Sequence, residues 1–325
     1  KIIAKELNSS IGEIFFTGSA TEANNMLLRR AVEDLGIKVM VISQIEHPCV
    51  IETAKDLESK GLIQLFFLKV DKYGMIDFQE LESILHGNSK VLVSIMHVNN
   101  EIGIVQDIEK IGSLCREMGA LFHCDTVQSI GKIKLDLQST NIDFLSGAAH
   151  KFHGPKGVGF MYIKNDYKIL PFITGGGQER SMRSGTENIY GIAGMAKALQ
   201  IYAEDQNKKM LFIRDLKEKF KSALASSTPD VKFLETGKED RFIPNILSVS
   251  FPETPKTELI TFNLDIAGIS ASAGSACASG VEQASHVLEA IGLPDNERAV
   301  RFSFSYLNTI DEINQSVDLI AKMMK

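Results

Sequence analysis

The chain has 325 residues, of which 44% are hydrophobic and 23% charged, the balance of a globular protein long enough for a sizeable core. A formal net charge of −6 argues against nucleic acid or an anionic membrane as the main partner. The four cysteines, at 49, 115, 124 and 277, make no CxxC pair and no metal-like spacing, so no metal site is expected.

In chain order, the opening KIIAKELNSS reads as a helix already under way, which predicts that an N-terminal stretch is missing. β-Branched and aromatic runs at 13–17, 38–43, 63–68, 90–97, 120–124, 142–145 and 157–163 predict strands. Helical periodicity fills the gaps at 20–35, 48–60, 77–85 and 107–118. Such alternation predicts an α/β fold whose mainly parallel sheet is covered on both faces, with ligands at the carboxyl ends of the strands. One long charged helix is expected at 189–226. After it, strands at 231–233, 246–251 and 300–303 with helices at 256–264, 285–291 and 310–324 predict a smaller α+β domain. The expected division is 1–205 and 206–325. Scarce cysteines suit a reducing cytoplasm, and no apolar run has the length of a membrane span.

The strand exits carry the chemistry. GSATEANN after the first strand sets Gly18, Ser19 and Thr21 at a helix N-terminus, which serves either as a phosphate cradle or as an ordinary cap. The fourth strand leaves as MHVNNEIG, whose paired asparagines either turn the chain or bond a ligand. FHCDTVQS places Asp125 after an apolar strand, where a buried carboxylate wants a structural cation or a protonated heterocycle, and Gln128 can face the same ligand. Lys151 follows in a Gly/Ala/His-rich bend between core strands, the setting of a desolvated, Schiff-base-forming lysine. A phosphate cradle, a buried acid and a pocket lysine are together the requirements of pyridoxal 5'-phosphate. Far downstream, SASAGSACASG at 270–280 holds one reactive side chain, Cys277, and reads either as a mobile loop carrying that thiol or as a small-residue stretch where two backbones approach closely, with Cys277 a small hydrophobe.

The chain resembles the cysteine desulfurases, pyridoxal-phosphate enzymes of aminotransferase class V, in the branch with a long mobile cysteine loop. The motifs that carry the resemblance are FTGSATEANN, EHPCV, SIMHVNNEIGIVQDI, HCDTVQSIGK, AHKFHGPKGVG, GGGQERSMRSGTEN, GSACAS and RFSFS, spread over nearly the whole chain. The resemblance implies pyridoxal-phosphate transferase fold type I with a seven-stranded sheet. It also implies that Lys151 holds the cofactor, His47 stacks on its ring and helps catalysis by proton transfer, and Asp125 pairs with the ring nitrogen. Asn100 and Gln128 lie near the ring hydroxyl and the substrate carboxylate. Ala20, Thr21 and His150 surround the phosphate, which Thr186 reaches across a homodimer. Arg301 clamps the substrate carboxylate, and Cys277 is the nucleophile. The implied activity converts L-cysteine to L-alanine and a Cys277 persulfide, for delivery to a sulfur acceptor or iron–sulfur scaffold protein. Within the same fold the alternatives are a selenocysteine lyase or another class V enzyme; outside it, an inactive remnant. The chain departs from the family at Ala148, where serine is usual, at GSAT in place of SGAT, and in lacking the N-terminal stretch that lines the substrate site.

Overall fold

The computed structural model describes residues 1–273 and 285–324, which leaves Cys277 and its neighbours outside the described residues. The chain divides into two compact units. The first comprises Lys1–Lys69, Ile76–Val98 and Gln106–Gln206; the second comprises Val70–Met75, Asn99–Val105 and the chain from Asn207 onward. Two upstream segments thus belong to the second unit, which a division at one point does not describe.

The first unit holds α1 (Ile2–Glu6), β1 (Ile14–Thr17), α2 (Ala20–Asp34), β2 (Val39–Ser43), α3 (Pro48–Ser59), β3 (Gln64–Leu68) and α4 (Phe78–Gly87). It continues with β4 (Val91–Ser94), α5 (Ile108–Glu117), β5 (Leu121–Asp125), β6 (Phe144–Ala148), β7 (Gly159–Ile163) and α6 (Ile189–Ala203). Its seven strands run β1-β7-β6-β5-β4-β2-β3. β3, β2, β4, β5 and β6 pair in parallel, while β7 is antiparallel to both of its neighbours. Every residue of β2, β4, β6 and β7 is buried, as a sheet covered on both faces requires. Met26, Leu27 and Leu28 of α2 and Val50, Ala54 and Leu57 of α3 share one cluster with Met40, Leu92, Phe144 and Met161 of the sheet.

Local sequence fixes where the helices start. The Ser19 hydroxyl accepts from the Glu22 N–H at α2, and Asp77 accepts from the Gln79 and Glu80 N–H groups at α4. Asp107 caps α5 through the Lys110 N–H. His47 caps α3 through its ring, with Pro48 at the first helical position.

The second unit is built on a four-stranded sheet, β10-β11-β9-β8, antiparallel throughout. Its strands are β8 (Lys232–Phe233), β9 (Ile246–Pro252), β10 (Ser272–Ala273) and β11 (Glu297–Ser303), and its helices α7 (Gln206–Ser227), α8 (Ile260–Ile266), α9 (His286–Ala290) and α10 (Ile310–Met324). Leu216, Phe220 and Leu224 of α7 and Val317 and Ile320 of α10 pack with Val249, Phe251, Val300 and Phe302 of the sheet.

Three expectations are corrected. The long helix at 189–226 is two helices, interrupted at Glu204–Asp205, where Asp205 takes φ 58° in the left-handed region. The helix expected from 256 starts only at Ile260, because Thr254 and Thr257 form a hydroxyl-bonded turn in which Thr257 Oγ1 donates to the Pro252 carbonyl at 2.7 Å. The small-residue run at 270–280 is not loop from its start: Ser272 and Ala273 pair with Arg301 and Val300 at the sheet edge. The rest of that run lies outside the described residues.

Gly159 places β7 against the start of α2. A Cβ there would lie 2.8 Å from the Ser19 carbonyl carbon, 3.0 Å from the Ala20 nitrogen and 2.8 Å from the Gly147 oxygen, all backbone atoms with little room to yield. Gly159→Ala is expected to lower the unfolding free energy by about 1–3 kcal/mol, the range of overpacked sites. Denaturant unfolding checks it, and an unchanged midpoint would show that the contact relaxes.

Candidate active site

β1 ends at Thr17, and the chain turns through Gly18 and Ser19 into α2. Glu22 folds back to accept the Gly18 N–H at 2.9 Å, and its carboxylate is paired with Arg183 at 2.7 Å. With Ser19 serving Glu22, the Ala20 and Thr21 N–H groups stand at the positive end of a 15-residue helix, outside its internal ladder. Gly159, whose missing Cβ would meet the Ser19 and Ala20 backbone, lies against this helix start.

Three further strand exits of the same unit supply the remaining groups. β2 leads to His47, β5 ends on Asp125, and β6 leads into a one-turn 3-10 helix, Ala149–Phe152, carrying His150 and Lys151. His153 closes that turn in the left-handed conformation, φ 65°. Asp125 is 5% exposed. Its Oδ2 accepts from Asn24 Nδ2 at 2.8 Å and its Oδ1 from the Val127 N–H at 3.0 Å. Burial raises its pKa, while these two donors and the charges of His47 and Lys151 pull it back. Lys151 is thus the lysine whose charge acts on Asp125.

His47 is half-buried. The Cys49 N–H donates to its Nδ1 at 3.2 Å. The Cys49 thiol lies 3.0 Å from the same nitrogen. Burial, and then Asp125, push that thiol up to about 12, so it stays protonated. Next to His47, Glu46 is 1% exposed and accepts from Ser43 Oγ and the Met96 N–H. Burial pushes its carboxyl up to about 8, which keeps a second charge from forming near Asp125 at neutral pH.

Gln128 is buried, and Lys132 donates to its carbonyl at 3.0 Å and to Oε1 at 3.3 Å. The lysine therefore turns the amide so that Nε2 remains as donor. Lys132 is itself only 7% exposed, and burial, reinforced by Lys151, pushes its pKa down to about 7. Partial desolvation, then Lys151, Lys156 and Lys132, hold His150 below the ordinary histidine range. Lys132, His150 and Lys151 thus act on one another on this side of the site.

The structure brings His47, Asp125, Gln128 and Lys151 into one unit with the Ala20–Thr21 cradle. Thr186 belongs to the same unit and is exposed. Asn100 and Arg301 belong to the second unit, where Arg301 Nη1 donates to the Asn100 carbonyl at 2.7 Å and Nη2 to Ser272 Oγ at 3.0 Å. Arg301 Nε is buried with no partner among the described residues. Cys277 lies outside the described residues. Ala148, in place of the usual serine, is 1% exposed, and two residues upstream on the same face of β6 the buried Ser146 hydroxyl has no partner among the described residues.

Sequence reasoning did not find Asn24, Cys49, His123 and Lys132. Two spacings held the signal. His123 and Asp125 are two apart on a strand and share a face, and Thr21 and Asn24 are three apart on a helix. The residues present fit pyridoxal phosphate: a lysine, a buried acid held by N–H donors, and a helix N-terminus for a phosphate. Among the described residues no cluster suits a metal ion, and no helix is long and apolar enough to cross a membrane.

A mainly parallel seven-stranded sheet with these groups at its strand ends is the arrangement of pyridoxal-phosphate transferase fold type I. Residues 1–315 match the family model Aminotransferase class-V. A relative from Clostridium botulinum, "Cysteine desulfurase IscS", is 37% identical over 328 residues, covering 99% of this chain and 82% of that protein. The solved structure of a "NIFS-LIKE PROTEIN" superposes with a TM-score of 0.90 at 35% identity, covering 99% of this chain and 85% of the other. Another, "SspA in complex with cysteine", gives 0.78 at 32% identity and covers 95% and 86%. The chain belongs to the aminotransferase class-V family, in its cysteine desulfurase branch.

Lys132 makes a pH-dependent contribution to stability. Its pKa is lower folded than unfolded, so between about 7 and the ordinary lysine value the unfolded chain binds more protons, and stability rises with pH through that window. Below about pH 7 the folded protein holds the buried charge at a cost. Lys132→Met is expected to remove this rise, seen as a parent-minus-variant difference in unfolding free energy that grows from pH 7 to 10. A flat difference would place the lysine in a solvated setting.

Proposed function

We propose that this chain removes sulfur from L-cysteine with pyridoxal 5'-phosphate held on Lys151, yielding L-alanine and a persulfide on Cys277 for iron–sulfur cluster assembly or other sulfur transfer. The observation that carries this reading is Asp125, a buried carboxylate held by two N–H donors with His47 and Lys151 as its charged neighbours, in the same unit as the Ala20–Thr21 cradle. Motif and family membership supply the thiol.

Bound pyridoxal phosphate supplies an electron sink for the carbanion formed at the substrate Cα. The chain's own groups divide the other tasks. The Ala20 and Thr21 N–H groups, Thr21 and His150 hold the phosphate, with Ser146 a candidate for the hydroxyl that Ala148 lacks. His47 covers one face of the ring. Asp125 stabilises a proton on the ring nitrogen, and Gln128, turned by Lys132, donates to the ring oxygen. Lys151 Nζ takes the Cα proton, and the Arg301 guanidinium grips the substrate carboxylate. The Cys277 thiolate attacks the substrate sulfur: an S–S bond forms, the C–S bond breaks with its electron pair passing to carbon, and a proton completes alanine.

The working form in this reading is a homodimer in which Thr186 reaches the partner's phosphate. The segment that holds Thr186 supports it, with Leu170, Phe172, Ile189 and Tyr190 exposed along it. The unpaired thiols at 49, 115 and 124 favour a reducing cytoplasm, and the acceptor is a sulfur-carrying or scaffold protein.

Two measurements test the reading. Borohydride reduction of the yellow holoprotein is expected to fix a phosphopyridoxyl group on the peptide of Lys151; labelling of Lys156 or Lys132 instead overturns the assignment. Cys277→Ala in the full-length protein is expected to keep the cysteine-induced change in the visible spectrum while release of alanine and sulfide, with a reductant present, falls to background. Desulfuration at the parent rate refutes the role of Cys277, and loss of cysteine but not selenocysteine turnover favours the lyase.

A further inference from the structure

Asn24 lies on α2 with none of its surface exposed, and both ends of its amide are engaged. Nδ2 donates to Asp125 Oδ2 at 2.8 Å and to Cys49 Sγ at 3.2 Å, while Oδ1 faces His123 Nε2 at 3.1 Å. His123, fully buried on β5, has its Nδ1 at 2.7 Å from the Ser94 hydroxyl.

An amide can turn by half a revolution with little change of shape, and the two orientations here are opposite in effect. One sets an N–H against the Asp125 carboxylate; the other sets an oxygen against it, repelling its charge. A carboxylate only accepts, so the first orientation requires Oδ1 to face His123 and Nε2 of His123 to carry a proton. Nδ1 then accepts from the Ser94 hydroxyl. The donors run in one direction, Ser94 to His123 to Asn24 to Asp125, and reversing any member leaves two acceptors facing each other in a buried site. Burial pushes His123 down to about 3, so the ring is neutral at working pH and holds this single tautomer.

We propose that Asn24, its amide locked by His123, is the positioning residue that keeps the Asp125 carboxylate charged and aimed at the protonated ring nitrogen of the cofactor; the inference rests on the pyridoxal-phosphate reading of the site. A structural asparagine would support the fold and serve any ligand of this shape equally. A residue acting through Asp125 serves only a ligand with a ring nitrogen.

The experiment is equilibrium binding to the apoprotein, followed by absorbance and fluorescence, of pyridoxal 5'-phosphate and of its 1-deaza analogue, in which C–H replaces the ring nitrogen. The parent is expected to prefer pyridoxal phosphate. Asn24→Ala should weaken pyridoxal phosphate at least about tenfold, the loss of one hydrogen bond to a charged group, and move the deaza analogue less than about threefold. His123→Phe, which removes the lock, should give the same pattern. His123→Gln, whose amide N–H can still donate to Oδ1, should restore most of the preference. Equal weakening of both ligands in Asn24→Ala, or a preference left intact, overturns the proposal. A parent that binds neither ligand, or both alike, shows instead that the cofactor reading of Asp125 is wrong, and the role of Asn24 falls with it.

Discussion

A charged side chain placed at the middle of a covered sheet organises this site. Asp125 ends the strand between β4 and β6, and at 5% exposure its carboxylate has almost no water to stabilise it. A buried carboxylate either takes up a proton or is surrounded by donors. Here the donors come from separate elements, the Val127 N–H from its own turn and the Asn24 amide from α2, with His47 and Lys151 adding positive charge. Moving any of these elements would expose the carboxylate to a cost that the packing now avoids. The cap of α3, the start of α2 and the turn after β6 are therefore held together by electrostatics as well as by the apolar cluster beneath them.

The unit also shows how two buried carboxyls are kept apart in state. Glu46 takes its hydrogen bonds from a hydroxyl and one backbone N–H, and burial leaves it protonated at neutral pH. Asp125, with amide donors and cationic neighbours, is the one favoured as an anion. Residue type alone does not distinguish them; the partners do.

Much of the fold was legible because its signals are local. Apolar runs such as VMVIS and VLVS are what doubly covered strands require, and Ser19, Asp77 and Asp107 mark helix starts by their capping chemistry. Asp125 and Lys151 could be found because charged residues at the exits of apolar strands stand out from their surroundings. Lys132 could not: it owes its role to which neighbour its turn delivers, and register across elements is not written in composition. The interruption at Asp205 was hidden because one left-handed residue stops a helix without disturbing the apolar periodicity on either side. The membership of 70–75 and 99–105 in the second unit was hidden for a related reason, since a short segment's sequence does not say what it packs against.

The state of the cysteines has a consequence for selectivity among sulfur nucleophiles. Cys49, Cys115 and Cys124 are all raised well above the ordinary thiol range, each chiefly by burial. A protonated thiol is a poor attacker of sulfur, so all three are chemically quiet at neutral pH, including the one that touches His47. An enzyme that handles labile sulfur close to its own thiols runs the risk of internal misdelivery. Burial here acts as insulation: a sulfane sulfur made in this protein meets, among the described residues, no thiolate ready to divert it.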